Sequence, residues 1–332
     1  MTTSTQRLLA RRRLLSAVAA TMTLCSAGAA LGQDAAFPNK PVRLMLATAP
    51  GGATDILARM IADKLSTAWG QPVLVEQRVG ANGMIAAAAL AKAPPDGHTA
   101  YLSISSMVQN VLLRPNPGYK MEEMAPVTLV ATIPIAFGVN SSLGIQTVAD
   151  LVKYAKSKPD GITYGTSGAG SGSHLVGAAL ASAAGFKATH IPYKGEVSSL
   201  PDLLNGQLTV GYGSAGFYAA QEASGKVKVL AVTGPKRVAR YPHIPTLAEA
   251  GFPGANLPGW YGLFLPAGTP KPVLAKFSDE VRRIVALPDV QAKIEEVGFV
   301  PVGNSSEEFS RYIATEMDTW SRVIKQNDIK VD

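Results

Sequence analysis

Short apolar runs alternate along this chain with longer stretches whose apolar residues recur at helical spacing. Val42–Ala47 reads as a strand, and Ile56, Leu57, Met60, Ile61 and Leu65 then predict a helix over 54–68. The alternation continues with strand Val73–Glu76, helix 83–92, strand Thr99–Ser103, helix Val148–Lys156, strand Ile162–Gly165 and helix 174–184. Strand Ala188–Ile191, helix Val197–Leu204 and strands Leu208–Tyr212 and Val227–Val232 follow, then helices over 271–286, 288–296 and 305–325. Such a pattern predicts α/β architecture, with mostly parallel sheets flanked by helices. Residues 124–140 are apolar, extended and interrupted by Pro126 and Pro134, and Gly259–Pro266 has the same character. Both read as crossings between lobes. They place 37–134 and 258–332 in a first lobe and 135–257 in a second, with a cleft that hinges can close. Segment 240–251 reads as a surface loop with a short helix.

The turns between these elements carry the candidate chemistry. Ala49, Pro50, Gly51 and Gly52 form a glycine-rich elbow between the first strand and helix, with Asp55 in the first helical turn. The first N–H groups of a helix lack intrahelical partners and sit at the positive end of its dipole, so such an elbow favours an anion. Ser167, Gly168, Gly170, Ser171, Ser173 and His174 form a second elbow, richer in donors. Ser105 and Ser106 end a strand at the edge where open α/β sheets bind ligands. Tyr193 and Lys194 end another strand, and Ser214 lies in a third glycine/serine turn, Gly213–Gly216. Each has a plainer reading: tight turn, helix cap or solvated lysine. Asp55 cannot itself attract a carboxylate, so helix capping is the leading reading for it.

The first residues change the charge balance. Arg7, Arg11, Arg12 and Arg13 precede an apolar run over 14–31, and Ala30-Leu31-Gly32 offers a cleavage site, so 1–32 reads as an export signal of Sec or twin-arginine type. The chain holds 31 Lys+Arg against 24 Asp+Glu, and losing four arginines leaves 27 against 24. No basic stripe follows a phosphodiester backbone, which excludes nucleic acid as the expected partner. The single cysteine, Cys25, lies in the signal, so the expected mature chain has no disulfides or cysteine-held metals. The scattered histidines lack metal spacing, and no cofactor is expected.

Several motifs occur in order: Pro50-Gly51-Gly52 with Asp55, Gly80-Ala81-Asn82-Gly83, Pro95-Asp96-Gly97-His98-Thr99, Tyr164 through Leu175, Pro192-Tyr193-Lys194-Gly195, and Trp260-Tyr261-Gly262 with Pro266-Ala267-Gly268-Thr269-Pro270. From about Phe37 to the C-terminus the chain resembles the Bug-type periplasmic solute receptors of tripartite tricarboxylate transporters. The resemblance implies a two-lobed periplasmic-binding-protein fold of type II and a monomer in the periplasm. It also implies a small di- or tricarboxylate ligand, handed to membrane permease subunits, and no catalysis. It carries ligand contact onto Gly51, Gly52, Gly168, Gly170, Ser171 and Ser173. The sequence departs from the family at Thr209, where an aspartate is usual, and at the bare turn Gly213–Gly216, which predicts a roomier wall. An aromatic dicarboxylate such as terephthalate would suit that space.

An exported serine hydrolase built on Ser167 or Ser171 is the competing reading. Gly165-Thr166-Ser167-Gly168-Ala169 fails the nucleophile-elbow pattern at its last position. Nor does the sequence offer a third group to orient a base.

Overall fold

The computed structural model describes residues 37–330, apart from 49, 52 and 328. The expected export signal therefore lies outside the described residues, as do Ala49 and Gly52. The chain divides into a unit ending at Asn39 and a unit from Lys40 to Asp332, and the elements below belong to the second.

Strands β1 (Val42–Leu46), β2 (Val73–Gln77), β3 (Thr99–Ile104), β4 (Met124–Ile133), β10 (Gly259–Pro266) and β11 (Val300–Pro301) form one sheet, in the order β11-β4-β10-β3-β1-β2. Strands β5 (Ile135–Asn140), β6 (Ile162–Thr166), β7 (Ala188–Pro192), β8 (Val210–Ser214) and β9 (Val227–Val232) form the other, in the order β7-β6-β8-β5-β9. In the first sheet β1 runs parallel to β2 and β3, and β10 runs antiparallel to β3 and β4. In the second, β6 runs parallel to β7 and β8, and β5 runs antiparallel to β8 and β9. The two sheets thus share a plan in which the strand that arrives from the other sheet, β10 in the first and β5 in the second, runs antiparallel between its neighbours, and the first sheet adds the short β11 antiparallel to β4 at its edge.

The helices after these strands are α1 (Ala53–Trp69), α2 (Met84–Ala91), α3 (Ser106–Leu113), α4 (Val148–Lys156), α5 (Gly172–Ala184), α6 (Glu196–Leu204) and α7 (Ala215–Ala223), followed by α8 (Lys271–Val285), α9 (Pro288–Glu296) and α10 (Ser306–Gln326). Capping side chains fix several starts. Thr147 with Asp150, and Ser305 with Glu308, form reciprocal capping boxes, and Ser171 and Ser214 cap α5 and α7. Helices α3 and α7 were not expected from the sequence. Segment 240–251 forms turns and a bridge from Val232 to Thr246 rather than a helix, because Pro242 and Pro245 withhold amide donors.

The two passages between sheets lie side by side. Pro134 alone separates β4 from β5, and the Ile135 N–H donates to Thr233 Oγ1 at 2.9 Å, just beyond β9. Gly234 and Asn256 then clamp the return: Gly234 N–H donates to Asn256 Oδ1 at 2.9 Å, and Asn256 Nδ2 to Gly234 O at 2.7 Å. Beneath the first sheet, α10 packs Phe309 edge-on to Trp260, and the buried Glu316 carboxylate accepts both indole N–H groups, from Trp260 at 3.0 Å and Trp320 at 2.8 Å.

Candidate functional site

A cavity of about 940 Å³ is lined from both sheets. The first sheet and its helices supply Thr48, Pro50, Thr54, Ser105, Ser106 and Gln109, and the second supplies Ser167, Gly168, Ser171–Ser173, Lys194, Glu196 and Ser214. The carboxyl end of β6 and the N-terminus of α5 therefore meet the carboxyl ends of β1 and β3, where parallel strands leave side chains and loop amides facing outward.

The elbow before α5 is held by its own polar groups. Ser171 Oγ donates to Gly168 O at 2.7 Å, accepts the His174 N–H at 3.3 Å and lies 2.9 Å from Ser173 Oγ. Ser173 Oγ in turn lies 3.2 Å from Ser167 Oγ. Three hydroxyls thus meet at the start of α5, beside the first-turn amides of Gly172 and Ser173, which have no acceptor within the helix. Gly172 brings this backbone near the facing wall. A Cβ there would lie 3.3 Å from Ile135 Cδ1 and 3.5 Å from Gln109 Nε2.

Several expected contacts have other duties. Asp55 is buried, and its carboxylate accepts from Gly51 N–H at 3.0 Å, Arg59 Nε at 2.9 Å and Gln77 Nε2 at 2.9 Å. The Arg59 hydrogen bond, then that of Gly51, holds this carboxyl below its ordinary range. Asp55 fastens the first elbow and occupies the Gly51 N–H, and neither residue lines the cavity. Gly170 is buried and gives its N–H to His174 Nδ1 at 3.1 Å. His174 lies outside the cleft lining and stacks on His190 with ring centroids 3.7 Å apart, beside a separate cavity of about 610 Å³. Burial pushes the imidazoles of His174 and His190 down to about 4. Tyr193 likewise stays out of the lining. Its hydroxyl donates to Asp202, and burial, then that bond, pushes it up to about 12.

Ser105, Ser106, Ser167, Gly168, Ser171, Ser173, Lys194 and Ser214 do line the cavity. Ser106 Oγ donates to Asn82 O at 3.0 Å, which ties the αL turn of Ala81 and Asn82 to the wall. Lys194 is the one lysine or arginine among the described lining residues.

Sequence reasoning missed three groups. Gln109 is fully buried in the cavity wall, and neither its Oε1 nor its Nε2 has a hydrogen-bond partner among the described residues. Thr48 Oγ1 is also buried and has no hydrogen-bond partner among the described residues. Orphaned amides of this kind cost roughly 1–3 kcal/mol unless something in the cleft satisfies them. The third group, Glu196, corrects the expected roomy wall. Its carboxylate lies over Gly213, where a Cβ would collide with it, and it accepts the Ser214 N–H and, at 2.9 Å, the Ser214 hydroxyl. The space left by a bare turn is filled from α6.

Hydrolase chemistry finds no support in this geometry. The histidine nearest the serines uses Nδ1 to accept the Gly170 N–H and faces the other cavity.

Over residues 57–329 the sequence matches the family described as "Tripartite tricarboxylate transporter family receptor". The chain belongs to that family. It is 32% identical over 316 residues to the "UPF0065 protein in tcbD-tcbE intergenic region" of Pseudomonas sp. (strain P51), covering 95% of this chain and 94% of that one. It is 28% identical over 322 residues to Protein BugT of Bordetella pertussis (strain Tohama I), covering 96% and 98%. Among solved structures, R. palustris Rpa4515 with adipate superposes with a TM-score of 0.77 at 33% identity, covering 89% of this chain and 99% of that one. The periplasmic binding protein BugD superposes at 0.74 and 31% identity, covering 89% and 99%. MatC from Rhodopseudomonas palustris with bound malate superposes at 0.73 and 28% identity, covering 87% and 100%. The chain is thus a Bug-type solute-binding receptor with the α/β fold of such proteins, and not an enzyme. No helix among the described residues is long and apolar enough to cross a membrane.

Proposed function

We propose that this receptor works in the periplasm as a monomer, captures a small organic carboxylate in the cavity between its sheets and delivers it to the permease subunits of a tripartite transporter. The observation that carries this reading is convergence on one cavity. The α5 amides, three serine hydroxyls and Lys194 from one side meet the unpartnered Gln109 amide and Thr48 hydroxyl from the other. An anion at the start of α5 gains the dipole and the orphan N–H groups together. Residues 37–134 with 258–332, and 135–257, act as the two lobes in this reading, and the Pro134 and Gly234–Asn256 passages act as hinges. Adipate and malate are bound by the two related proteins named above. On size alone the cavity also accommodates terephthalate.

A thermal-shift panel of mono-, di- and tricarboxylates, with an ester-hydrolysis control, tests this. A binder raises the melting temperature with concentration as mass action requires. If no carboxylate raises it at millimolar concentration, the reading is wrong. Ester turnover abolished by Ser171→Ala would favour the hydrolase instead.

A further inference from the structure

Glu196 brings a negative charge into a cleft read as an anion site, and it is held there by construction. It opens α6, lines the cavity and lies against Gly213, a position that admits no side chain while the carboxylate is there. Ser214 grips both oxygens, Oε2 through its N–H and Oε1 through its hydroxyl at 2.9 Å. Those bonds use about two of the four lone-pair directions of a carboxylate. No lysine, arginine or histidine pairs with Glu196 among the described residues, and Lys194 lines the same cavity without contacting it as an ion pair. The half-buried carboxylate therefore keeps acceptor capacity that no cation of the described chain takes up, at the wall of the cavity.

We propose that Glu196 sets specificity: the receptor selects a carboxylic acid whose second polar end is an N–H donor, an amide or an ammonium, and rejects diacids of equal length. This rests on the reading of the cleft as a carboxylate site. The ligand's carboxylate lies at the start of α5, and its far end donates to Glu196. A second carboxylate there would meet a fixed like charge in a partly dehydrated cleft. An amide or ammonium would instead complete the acceptor set. Selectivity then comes from repulsion as well as attraction. The exchangeable polarity of Gln109, donor and acceptor on one group, allows either N–H ligand to be accommodated along the wall.

The test is calorimetric titration of the full mature chain with two length-matched sets. One is terephthalate, its monoamide and para-aminomethylbenzoate, and the other is adipate, its monoamide and ε-aminocaproate. The proteins are the wild type and Glu196→Gln, whose amide can keep both Ser214 contacts. In at least one set the wild type should bind an N–H-bearing member about tenfold or more tightly than the diacid. Glu196→Gln should raise diacid affinity and shrink that ratio by a similar factor. The monoamide and amine arms separate an amide ligand from a zwitterionic one. Tighter binding of the diacid by the wild type, or a ratio unchanged in Glu196→Gln, overturns the assignment while leaving the carboxylate reading intact. Absence of binding by every acid overturns both. If the variant does not fold, the wild-type ratio decides alone.

Discussion

Acidification should weaken the fold through His174. The ring is 7% exposed and stacked on His190, and burial pushes its imidazole down to about 4. In the unfolded chain an imidazole titrates near 6.5. Between those values the unfolded chain holds a proton that the folded chain refuses. Stability is therefore complete above about pH 6.5 and falls as the pH drops towards 4. At about 1.4 kcal/mol per pH unit, the gap is worth about 3 kcal/mol. His190 shifts in the same direction, and its partly exposed ring adds a smaller share. Protonation would also remove the acceptor for the Gly170 N–H, 3.1 Å away, and so loosen the ligand elbow. Urea denaturation at fixed pH values from 7.5 to 4 measures the slope, and His174→Asn, with an oxygen in place of Nδ1, is the control. The difference between the two proteins should widen by about 3 kcal/mol from the acid end towards neutrality. Equal slopes in both, or stabilisation of the wild type by acid, would refute the reasoning.

Other perturbations have separate readouts. Glu316→Ala strands two buried indole N–H groups, those of Trp260 and Trp320, and should cost about 4 kcal/mol at roughly 1–3 for each orphan. Chemical denaturation checks this, and Glu316→Gln, which keeps an acceptor oxygen, should lose much less. Lys194→Met should leave stability within about 0.5 kcal/mol, because the side chain is exposed, yet weaken carboxylate binding about tenfold. Calorimetry at two salt concentrations should show the wild-type affinity falling with salt more steeply than that of the variant. Gly213→Ala should displace the Glu196 carboxylate from Ser214, lowering the melting temperature and altering the ligand preference together.

The fold was legible where periodicity was strong. The helix around Ile56 to Leu65 and the strand–helix alternation appear as expected, because long amphipathic repeats are not easily overridden. Helices α3 and α7 were hidden for different reasons. Ser106–Leu113 spans only eight residues, and its polar face of Ser106, Gln109 and Asn110 is buried rather than turned to solvent, so two turns beside a strand-ending serine pair gave too short a repeat to read. Ala215–Ala223 is short and starts inside the glycine/serine turn, so its capping serine, Ser214, read as loop. At the site, local signals located the α5 elbow, since capping and glycine spacing are written in neighbouring residues. Gln109 and Glu196 were invisible because their meaning depends on partners far along the chain: Gly172 for one and Gly213–Ser214 for the other. A bare turn reads as open space until the side chain that fills it is known. Asp55 and His174 enter the candidate set for the converse reason, that they sit beside the elbows in sequence; the structure agrees with the plainer reading of both, since they turn away to fasten the elbows.

The most direct measurement is a crystal structure of the receptor with the tightest-binding acid of the panel. The account predicts one carboxylate oxygen within about 3 Å of the Gly172 or Ser173 amide, with Gln109 newly hydrogen-bonded on the facing wall. An acid bound in the cavity beside His174 and His190, or a cleft acid whose carboxylate lies away from the start of α5, would contradict it.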